Sequence, residues 1–280
     1  MSKFEEVHMQ DTDTPAQTRA FTTIDRLKIA RSFGKAAIHY DDHADLQRQV
    51  ADELLAFIPQ FKPVMHGLDL GCGTGYCSKK LRQLFPESRL LALDLALPML
   101  QTTRALQINE LALVCSDAQA LPLANDLFDL VVSNLSMQWC ANYAVFFSEL
   151  LRITRSGSSV LLSTFGPQTL REVRAAWAKV DTQVHVNEFV PLHFLQQQAQ
   201  EVGFSCYSKV LSVQRGYPSL RALAAELKGL GAHNMNQQQN TRLTTRKNFA
   251  AAELAFEQAQ SSNNVTAVTY EIFFLHLQKP

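Results

Sequence analysis

The chain has 280 residues, with 26 Lys and Arg against 26 Asp and Glu, and 46% of the residues are hydrophobic, which suffices for one large domain with a substantial core. The balanced charge argues against a nucleic-acid-binding domain, which would be clearly basic, and no apolar run is long enough to span a bilayer. We therefore expect a soluble protein with no nucleic-acid or membrane partner.

The N-terminal residues 1–22 are polar and lack periodic apolar positions, so we expect a flexible arm there without a targeting signal. The remaining residues, 23–280, are predicted to form a single domain. Its five cysteines are scattered without a CxxC pair, which favours reduced thiols in a cytoplasmic protein. The histidines show no metal-ligand spacing, so no metal is expected.

Residues 23–60 carry apolar side chains at helical spacing. Phe33 and Tyr40 belong to one such pattern, and Leu46 and Leu55 to a second. Prolines follow the second pattern, and proline ends a helix. We therefore predict N-terminal helices within this segment.

Short, continuously apolar segments then alternate with helix-like ones. Continuous rather than alternating hydrophobicity is typical of parallel strands that are covered on both faces. The predicted strands are 65–70, 89–95, 111–117, 128–134 and 159–165. The predicted helices between them are 78–85, 98–106 and 143–152. This alternation predicts an α/β fold with a doubly wound, mostly parallel sheet.

The pattern changes beyond the fifth strand. Helices are predicted at 168–179 and 190–204, and two further strands at 208–217 and 267–279, which gives seven strands in total. Between the last two strands lies a polar, helix-rich insert, 218–265. Because long inserts in compact domains are commonly lids or binding elements, we predict a helical lid.

A glycine loop follows the first strand, with Gly71, Gly73 and Gly75 at every second position. Glycine permits positive φ and lets a ligand approach the backbone closely. The spacing is GxGxG rather than the GxGxxG of dinucleotide-binding folds. Asp69 precedes the loop and Asp94 ends the second strand. An acidic residue before the loop disfavours a pyrophosphate, and a carboxylate after the second strand suits ribose hydroxyls.

S-adenosylmethionine matches the ligand that this loop favours, since it carries an amino group, a sulfonium, a ribose and an adenine but no phosphate. The segments LDLGCGTG (68–75), LALDL (91–95) and SDAQALPLANDLFDLVVSN (116–134) resemble motifs of the class I S-adenosylmethionine-dependent methyltransferases. The resemblance implies that Asp117 accepts a hydrogen bond from the adenine amino group. The cofactor-binding residues implied in this way are Asp69, Gly71, Cys72, Gly73, Gly75, Asp94, Leu95, Met99, Asp117, Ala118 and Asn134.

Three further segments are similar to the malonyl-acyl-carrier-protein O-methyltransferases of biotin synthesis. They are RSFGKAAIHYDDHADLQRQVADELL (31–55), SNLSMQWCAN (133–142) and ELKGLGAHNMN (226–236). That resemblance implies transfer of a methyl group from S-adenosylmethionine to the free carboxylate of malonyl-acyl-carrier protein. The products would be S-adenosylhomocysteine and the methyl ester that primes pimeloyl synthesis.

A malonyl carboxylate is already ionised at neutral pH, so we expect no general base and no metal in this reaction. Catalysis would consist of alignment and exclusion of water. Tyr40 is expected to close over the methionine end of the cofactor, and Gln138 and Trp139 to position the acceptor.

The acceptor carboxylate needs a cation or hydrogen-bond donors, and the carrier protein is acidic. Candidates to hold the carboxylate are Lys228, Arg171, Arg174 and His233. A basic cluster on the insert is a candidate for docking the carrier, and its members are Arg242, Arg246 and Lys247. Three alternatives stay open, namely methylation of another small acid or a quinone precursor, a non-methylating relative that assembles respiratory complexes, and an NAD-dependent oxidoreductase. The GxGxG spacing and Asp69 disfavour the last.

Overall fold

A computed structural model of the chain describes residues 25–59, 63–232, 244–259 and 264–280. Its seven strands are β1 (His66–Leu70), β2 (Arg89–Asp94), β3 (Leu111–Cys115), β4 (Phe128–Ser133), β5 (Thr154–Phe165), β6 (Ser205–Tyr217) and β7 (Thr266–Gln278). They form one sheet in the order β3-β2-β1-β4-β5-β7-β6. The first five strands are parallel, and β7 runs antiparallel to both of its neighbours. The predicted α/β, mostly parallel seven-stranded fold is confirmed.

The helices of the described residues are α1 (Arg26–Ala36), α2 (Asp45–Leu55), α3 (Tyr76–Leu84), α4 (Leu97–Ala105), α5 (Tyr143–Ile153), α6 (Arg171–Ala178), α7 (Leu192–Glu201), α8 (Leu220–Gly229) and α9 (Arg246–Glu257). Local capping sets several starts. Asp25 accepts from the backbone N–H of Leu27 and Lys28, and Ser219 accepts from Ala222. No helix among these is long and apolar enough to cross a bilayer.

Two apolar layers cover the two faces of the sheet. One layer contains Leu54 of α2 and Leu130 of β4, and the other contains Val131 of β4 and Phe147 of α5. Adjacent strand residues therefore point into opposite layers, and both layers are dry, which explains the continuously apolar strands. The helices α8 and α9 lie between β6 and β7 in the chain and pack against the first layer through Leu223 and other side chains.

Several boundaries differ from the sequence prediction, and three of them have a clear local cause. Strand β5 begins at Thr154, ahead of the predicted 159, because a bulge separates the Phe128–Thr154 pair from the Leu130–Ser159 pair and places polar residues within the strand. Helix α6 begins at Arg171 rather than 168, since the preceding residue has a left-handed backbone. Tyr40 lies in a separate 3-10 turn beyond the end of α1, so it does not continue that helix.

The strand order reverses between β1 and β4, because the chain builds outward from β1 on one side and from β4 on the other. A crevice opens beyond the carboxyl ends of the strands at such a reversal, and ligands of doubly wound sheets bind there. The glycine loop after β1, Asp94 at the end of β2 and Asn134 after β4 all lie at this edge.

Candidate active site

The glycine loop is fixed by the end of β2. The N–H groups of Gly71 and Cys72 donate to the Leu93 carbonyl at 2.7 and 3.0 Å, and the N–H of Gly73 donates to Asp94 Oδ2 at 2.9 Å. Gly73 has φ +54°, and a Cβ built on it would meet no atom within 4 Å. The side chain missing there leaves open space that a ligand can fill.

A cavity that is open to solvent lies beside this loop, with about 730 Å³ of free space including its mouth. Predicted site residues that line it are Tyr40, Gly71, Gly73, Asp94, Leu95, Met99, Asp117, Ala118, Asn134 and Trp139. Residues from six separate segments of the sequence are thus brought around one cavity, which we call the adenosine cavity.

Two carboxylates give the adenosine cavity its polar character. Asp94 is buried, and burial raises its pKa against the opposing effect of hydrogen bonds from Ala96 and Gly73. Burial would also raise the pKa of Asp117, but the N–H of Gln119 and the guanidinium of Arg26 together hold it below its usual value. Asp117 is therefore ionised at neutral pH and can accept from an adenine amino group.

A smaller cavity of about 420 Å³, the methionine-end cavity, adjoins the first one and shares Tyr40, the glycine loop and Asn134 with it. Asp69 lines this cavity and is 2% exposed. Ser78 donates to its Oδ2 at 2.5 Å, whereas its Oδ1 is buried without a hydrogen-bond partner. Burial raises the pKa of Asp69 to about 7, with the neighbouring Asp94 adding to the rise.

The residues of the methionine-end cavity fit the amino-acid end of S-adenosylmethionine. Besides Asp69 Oδ1, the cavity contains a second buried oxygen without a donor, Gln47 Oε1. Unpartnered buried acceptors are costly, and an ammonium group is a donor of the kind that each of these oxygens lacks. Arg48 lines the same cavity and offers a cation for a carboxylate, although it now bonds Asp45 at 2.6 Å.

Sequence reasoning missed Arg48 and Arg26. Arg26 begins α1, lines the adenosine cavity and pairs with Asp117 across 91 residues of sequence. Neither arginine belongs to the strand-end pattern from which the site was predicted. Arg48 could have been found from the family resemblance, because it lies in DLQRQ within the matching segment 31–55.

A third and larger cavity, the acceptor cavity, has a volume of about 1220 Å³ and lies between the sheet and helices α6 and α8. Its walls are largely apolar, with Val173, Trp177 and Leu223 among them. Trp139 lines both this cavity and the adenosine cavity, and the ring of Phe33 meets Trp139 edge-on with centroids 5.2 Å apart. Trp139 therefore lies at the boundary between the adenosine cavity and the acceptor cavity.

Polar groups are concentrated at two places on the acceptor cavity. Tyr270 and Glu226 line it, and the hydroxyl of Tyr217 bonds Glu226 Oε1 at 2.8 Å and the Tyr270 hydroxyl at 3.0 Å. Burial raises the pKa of Tyr270 to about 12, so this hydroxyl stays protonated. At the other place, His185 bonds Asp181 at 2.8 Å and stacks on the ring of Trp177.

The structure places four predicted acceptor residues away from this cavity. Lys228 is exposed on the solvent side of α8. Arg171 is exposed and pairs with Glu172, and the Arg174 guanidinium donates to the Pro167 carbonyl. Gln138 is buried and lines none of the three cavities; its amide donates to the Leu135 carbonyl and accepts from the Thr164 hydroxyl. His233 lies outside the described residues.

Two other predicted positions also need comment. Gly75 lines none of the three cavities, and its φ of +91° and the approach of Thr103, 2.8 Å from a built Cβ, make it a packing position against α4. Cys72 lines the methionine-end cavity, as expected of a cofactor-site residue, and burial raises the pKa of its thiol.

Of the predicted docking cluster, Arg246 and Lys247 are exposed at the start of α9, whereas Arg242 lies outside the described residues.

Comparison with known proteins bears on this site. Residues 68–162 match the family described as "Methyltransferase domain". The YcgJ protein from Bacillus subtilis shares the fold, with a TM-score of 0.59 at 11% identity over 82% of this chain and 97% of that one. Likeness at such low identity shows the fold alone.

Two sequence relatives are much closer. The biotin biosynthesis bifunctional protein BioHC of Cellvibrio japonicus is 41% identical over 260 residues, and these cover 92% of this chain but 51% of that protein, so the chain spans about half of its length. The malonyl-[acyl-carrier protein] O-methyltransferase of Methylococcus capsulatus is 37% identical over 90% of this chain and 93% of its own. The chain belongs to the malonyl-[acyl-carrier protein] O-methyltransferase family, within the class I S-adenosylmethionine-dependent methyltransferases.

Proposed function

We propose that the chain transfers the methyl group of S-adenosylmethionine to the free carboxylate of malonyl-acyl-carrier protein. The observation that carries this proposal is the boundary at Trp139, where an acid-lined nucleoside cavity meets a large apolar chamber. The names of the relatives in the malonyl-[acyl-carrier protein] O-methyltransferase family support this acceptor, and those of the biotin biosynthesis proteins support the pathway.

The cofactor would be held by acidic groups along its length. Asp117 would accept from the adenine amino group, Asp94 from the ribose hydroxyls, and Asp69 from the ammonium group. When bound, S-adenosylmethionine supplies an electrophilic methyl group on a sulfonium. Tyr40 borders both cofactor cavities, and burial raises the pKa of its hydroxyl, so it stays a neutral side chain over the reacting end.

The acceptor needs no deprotonation, because carboxylic acids with pKa values near 4 are ionised at neutral pH. The protein contributes alignment and a dry environment, for which the rings of Trp139 and Trp177 provide walls. Among the described residues that line the acceptor cavity there is no Lys or Arg. These described walls offer no guanidinium for a bidentate pair with the carboxylate, and such a pair would reduce its nucleophilicity.

The acidic carrier protein would dock outside the chamber. Arg246 and Lys247 begin α9, whose residue Phe249 lines the acceptor cavity, so these cations lie close to a wall of the chamber. They would offer a basic surface that complements an acidic partner. The reaction would take place in the cytoplasm and require no metal, and its product would be S-adenosylhomocysteine.

The test is incubation of the full chain with methyl-labelled S-adenosylmethionine and malonyl-acyl-carrier protein, followed by a search for a base-labile methyl ester. Acetyl-acyl-carrier protein is the matched control, because it has the same carrier and thioester but no free carboxylate. Label on the malonyl form alone supports the proposal. Label on a free small acid, with none on malonyl-acyl-carrier protein, would refute the proposal and indicate a carboxyl methyltransferase with another acceptor.

A further inference from the structure

The side chain of Gln47 lies where the methionine-end cavity meets the acceptor cavity. Among the residues within 25–59, 63–232, 244–259 and 264–280, it alone lines both of these cavities. Trp139 has the corresponding position between the adenosine cavity and the acceptor cavity. A cofactor and an acceptor that occupy their cavities would therefore meet beside these two side chains.

The position of Gln47 is fixed by the ends of two strands. Asn134, directly after β4, donates from Nδ2 to the Gln47 carbonyl at 2.9 Å. The Oδ1 of Asn134 accepts from Ser163 of β5 at 2.7 Å. The flanking residues Leu46 and Val50 are buried in the core. These contacts hold the backbone of Gln47 in place, and its half-buried side chain belongs to a residue that lines both cavities.

The chemistry of the two ligands matches a carboxamide. An ammonium group can only donate hydrogen bonds, and a carboxylate can only accept them, whereas an amide side chain offers an acceptor oxygen and a donor nitrogen. Gln47 Oε1 is buried and has no donor in the described part of the protein. We propose that Gln47 bridges the two substrates, with Oε1 accepting from the cofactor ammonium and Nε2 donating to the acceptor carboxylate.

This inference rests on the proposed function and assigns the acceptor contact that Lys228, Arg171 and Arg174 do not supply. A neutral N–H orients the carboxylate without cancelling its charge, so its oxygen remains a nucleophile. After methyl transfer the acceptor is an ester, which accepts only ordinary hydrogen bonds, and these are weaker than charge-assisted ones. Gln47 therefore holds the substrate more strongly than the product.

Two substitutions separate the roles of the two amide atoms. Gln47→Glu keeps an acceptor for the ammonium group but repels the acceptor carboxylate and cannot donate to it. We expect an unchanged or tighter Kd for S-adenosylmethionine and a KM for malonyl-acyl-carrier protein raised about tenfold or more. Gln47→Met keeps the length and removes both polar atoms, so both constants should rise. Gln49→Glu places the same charge on the exposed side of the same helix, and both constants should stay as in the wild type.

Calorimetry gives the Kd and initial rates give the KM and kcat, with the thermal midpoint of each variant as a check on folding. If Gln47 has only a structural role, both variants would bind the cofactor equally weakly, or Gln47→Glu would leave the KM for the acceptor unchanged. Either result overturns the inference. Absence of ester formation by the wild-type chain would instead refute the proposed function, so the two failures are distinguishable.

Discussion

Asn in place of Asp69 should stabilise the protein without cofactor while weakening cofactor binding. Asp69 is completely buried, and its pKa is raised to about 7 chiefly by that burial. In the unfolded chain an Asp has a pKa of about 3.9. As pH rises from 4 to 7, the unfolded chain loses this proton while the folded chain retains it. The free energy of unfolding therefore falls across that window and is constant above it.

The size of the effect follows from the pKa difference. A shift of about three pKa units at about 1.36 kcal/mol per unit gives a ceiling of about 4 kcal/mol. Asp69→Asn has no such penalty, because its side chain stays neutral. At pH 8 the variant without cofactor should therefore unfold several degrees above the wild type, and the difference should shrink as pH falls toward 5.

Cofactor binding should respond in the opposite direction. Binding of an ammonium group favours ionised Asp69, so the wild-type Kd for S-adenosylmethionine should fall as pH rises from 6 to 7.5, below the titration of an α-amino group. Asp69→Asn should bind about 10- to 100-fold more weakly, since charged hydrogen bonds contribute about 1.5–3 kcal/mol, and its Kd should not vary over this range. Calorimetry in buffers of different ionisation enthalpy measures the protons released.

Ser78→Ala provides a matched control. Ser78 donates to Asp69 and lowers its pKa, so its removal should move the pH midpoint of cofactor binding upward while leaving the carboxylate in place. The reasoning is refuted if the wild type and Asp69→Asn show the same pH dependence of stability between pH 5 and 8, or if they bind the cofactor equally.

Three further predictions concern the other parts of the site. Gly73→Ala should fill the open space beside the loop and raise the Kd for S-adenosylmethionine. The control is Gly157→Ala, which also has a positive φ and open space but lies in the β5 bulge, and its Kd should not change. Equal Kd values for the two variants would contradict a close approach of the cofactor at Gly73. Trp139→Ala should lower kcat on the order of 100-fold with little change in cofactor Kd, because the two substrates lose the wall that aligns them, and a preserved kcat would argue against that role. Reversing the charges of Arg246 and Lys247 should raise the KM for malonyl-acyl-carrier protein less at high salt than at low salt, with cofactor Kd as the internal control, and unaltered kinetics would remove this surface from docking.

The sheet and the cofactor side of the site could be predicted because both depend on local sequence. Parallel strands end at one edge of a sheet, so the residues directly after each strand must lie near one another there. Asp69, Asp94, Asp117 and Asn134 follow or end consecutive parallel strands, and the structure brings all four to the cofactor cavities. This part of the site was therefore predicted from the hydrophobic pattern of the strands and from the residues at their ends.

The acceptor side could not be predicted in the same way, because it depends on which face each helix turns inward. Leu220, Leu223 and Leu227 line the acceptor cavity, whereas Lys228 lies one residue further around α8 and faces solvent. The motif therefore identified a helix that lines the cavity, whereas Lys228 itself is not among the lining residues and stays a prediction as an acceptor contact. Likewise Val173 and Trp177 of α6 line the cavity, whereas Arg171 and Arg174 of the same helix do not.

The charges of the described residues differ among the three cavities. Carboxylates border the two cofactor cavities, and no Lys or Arg among the described residues borders the acceptor cavity. The positive charge that a malonyl carboxylate meets would then be the sulfonium itself, in a dry chamber where attraction between charges is strong. Methyl transfer removes both charges together, because a thioether and an ester remain. A protein cation in the chamber would persist after the reaction and would retain unreacted acids of other kinds. If the sulfonium is the charge that the acceptor meets, retention of the acceptor would depend on the charge of the cofactor, and binding of the acceptor would be coupled to the presence of a reactive methyl group.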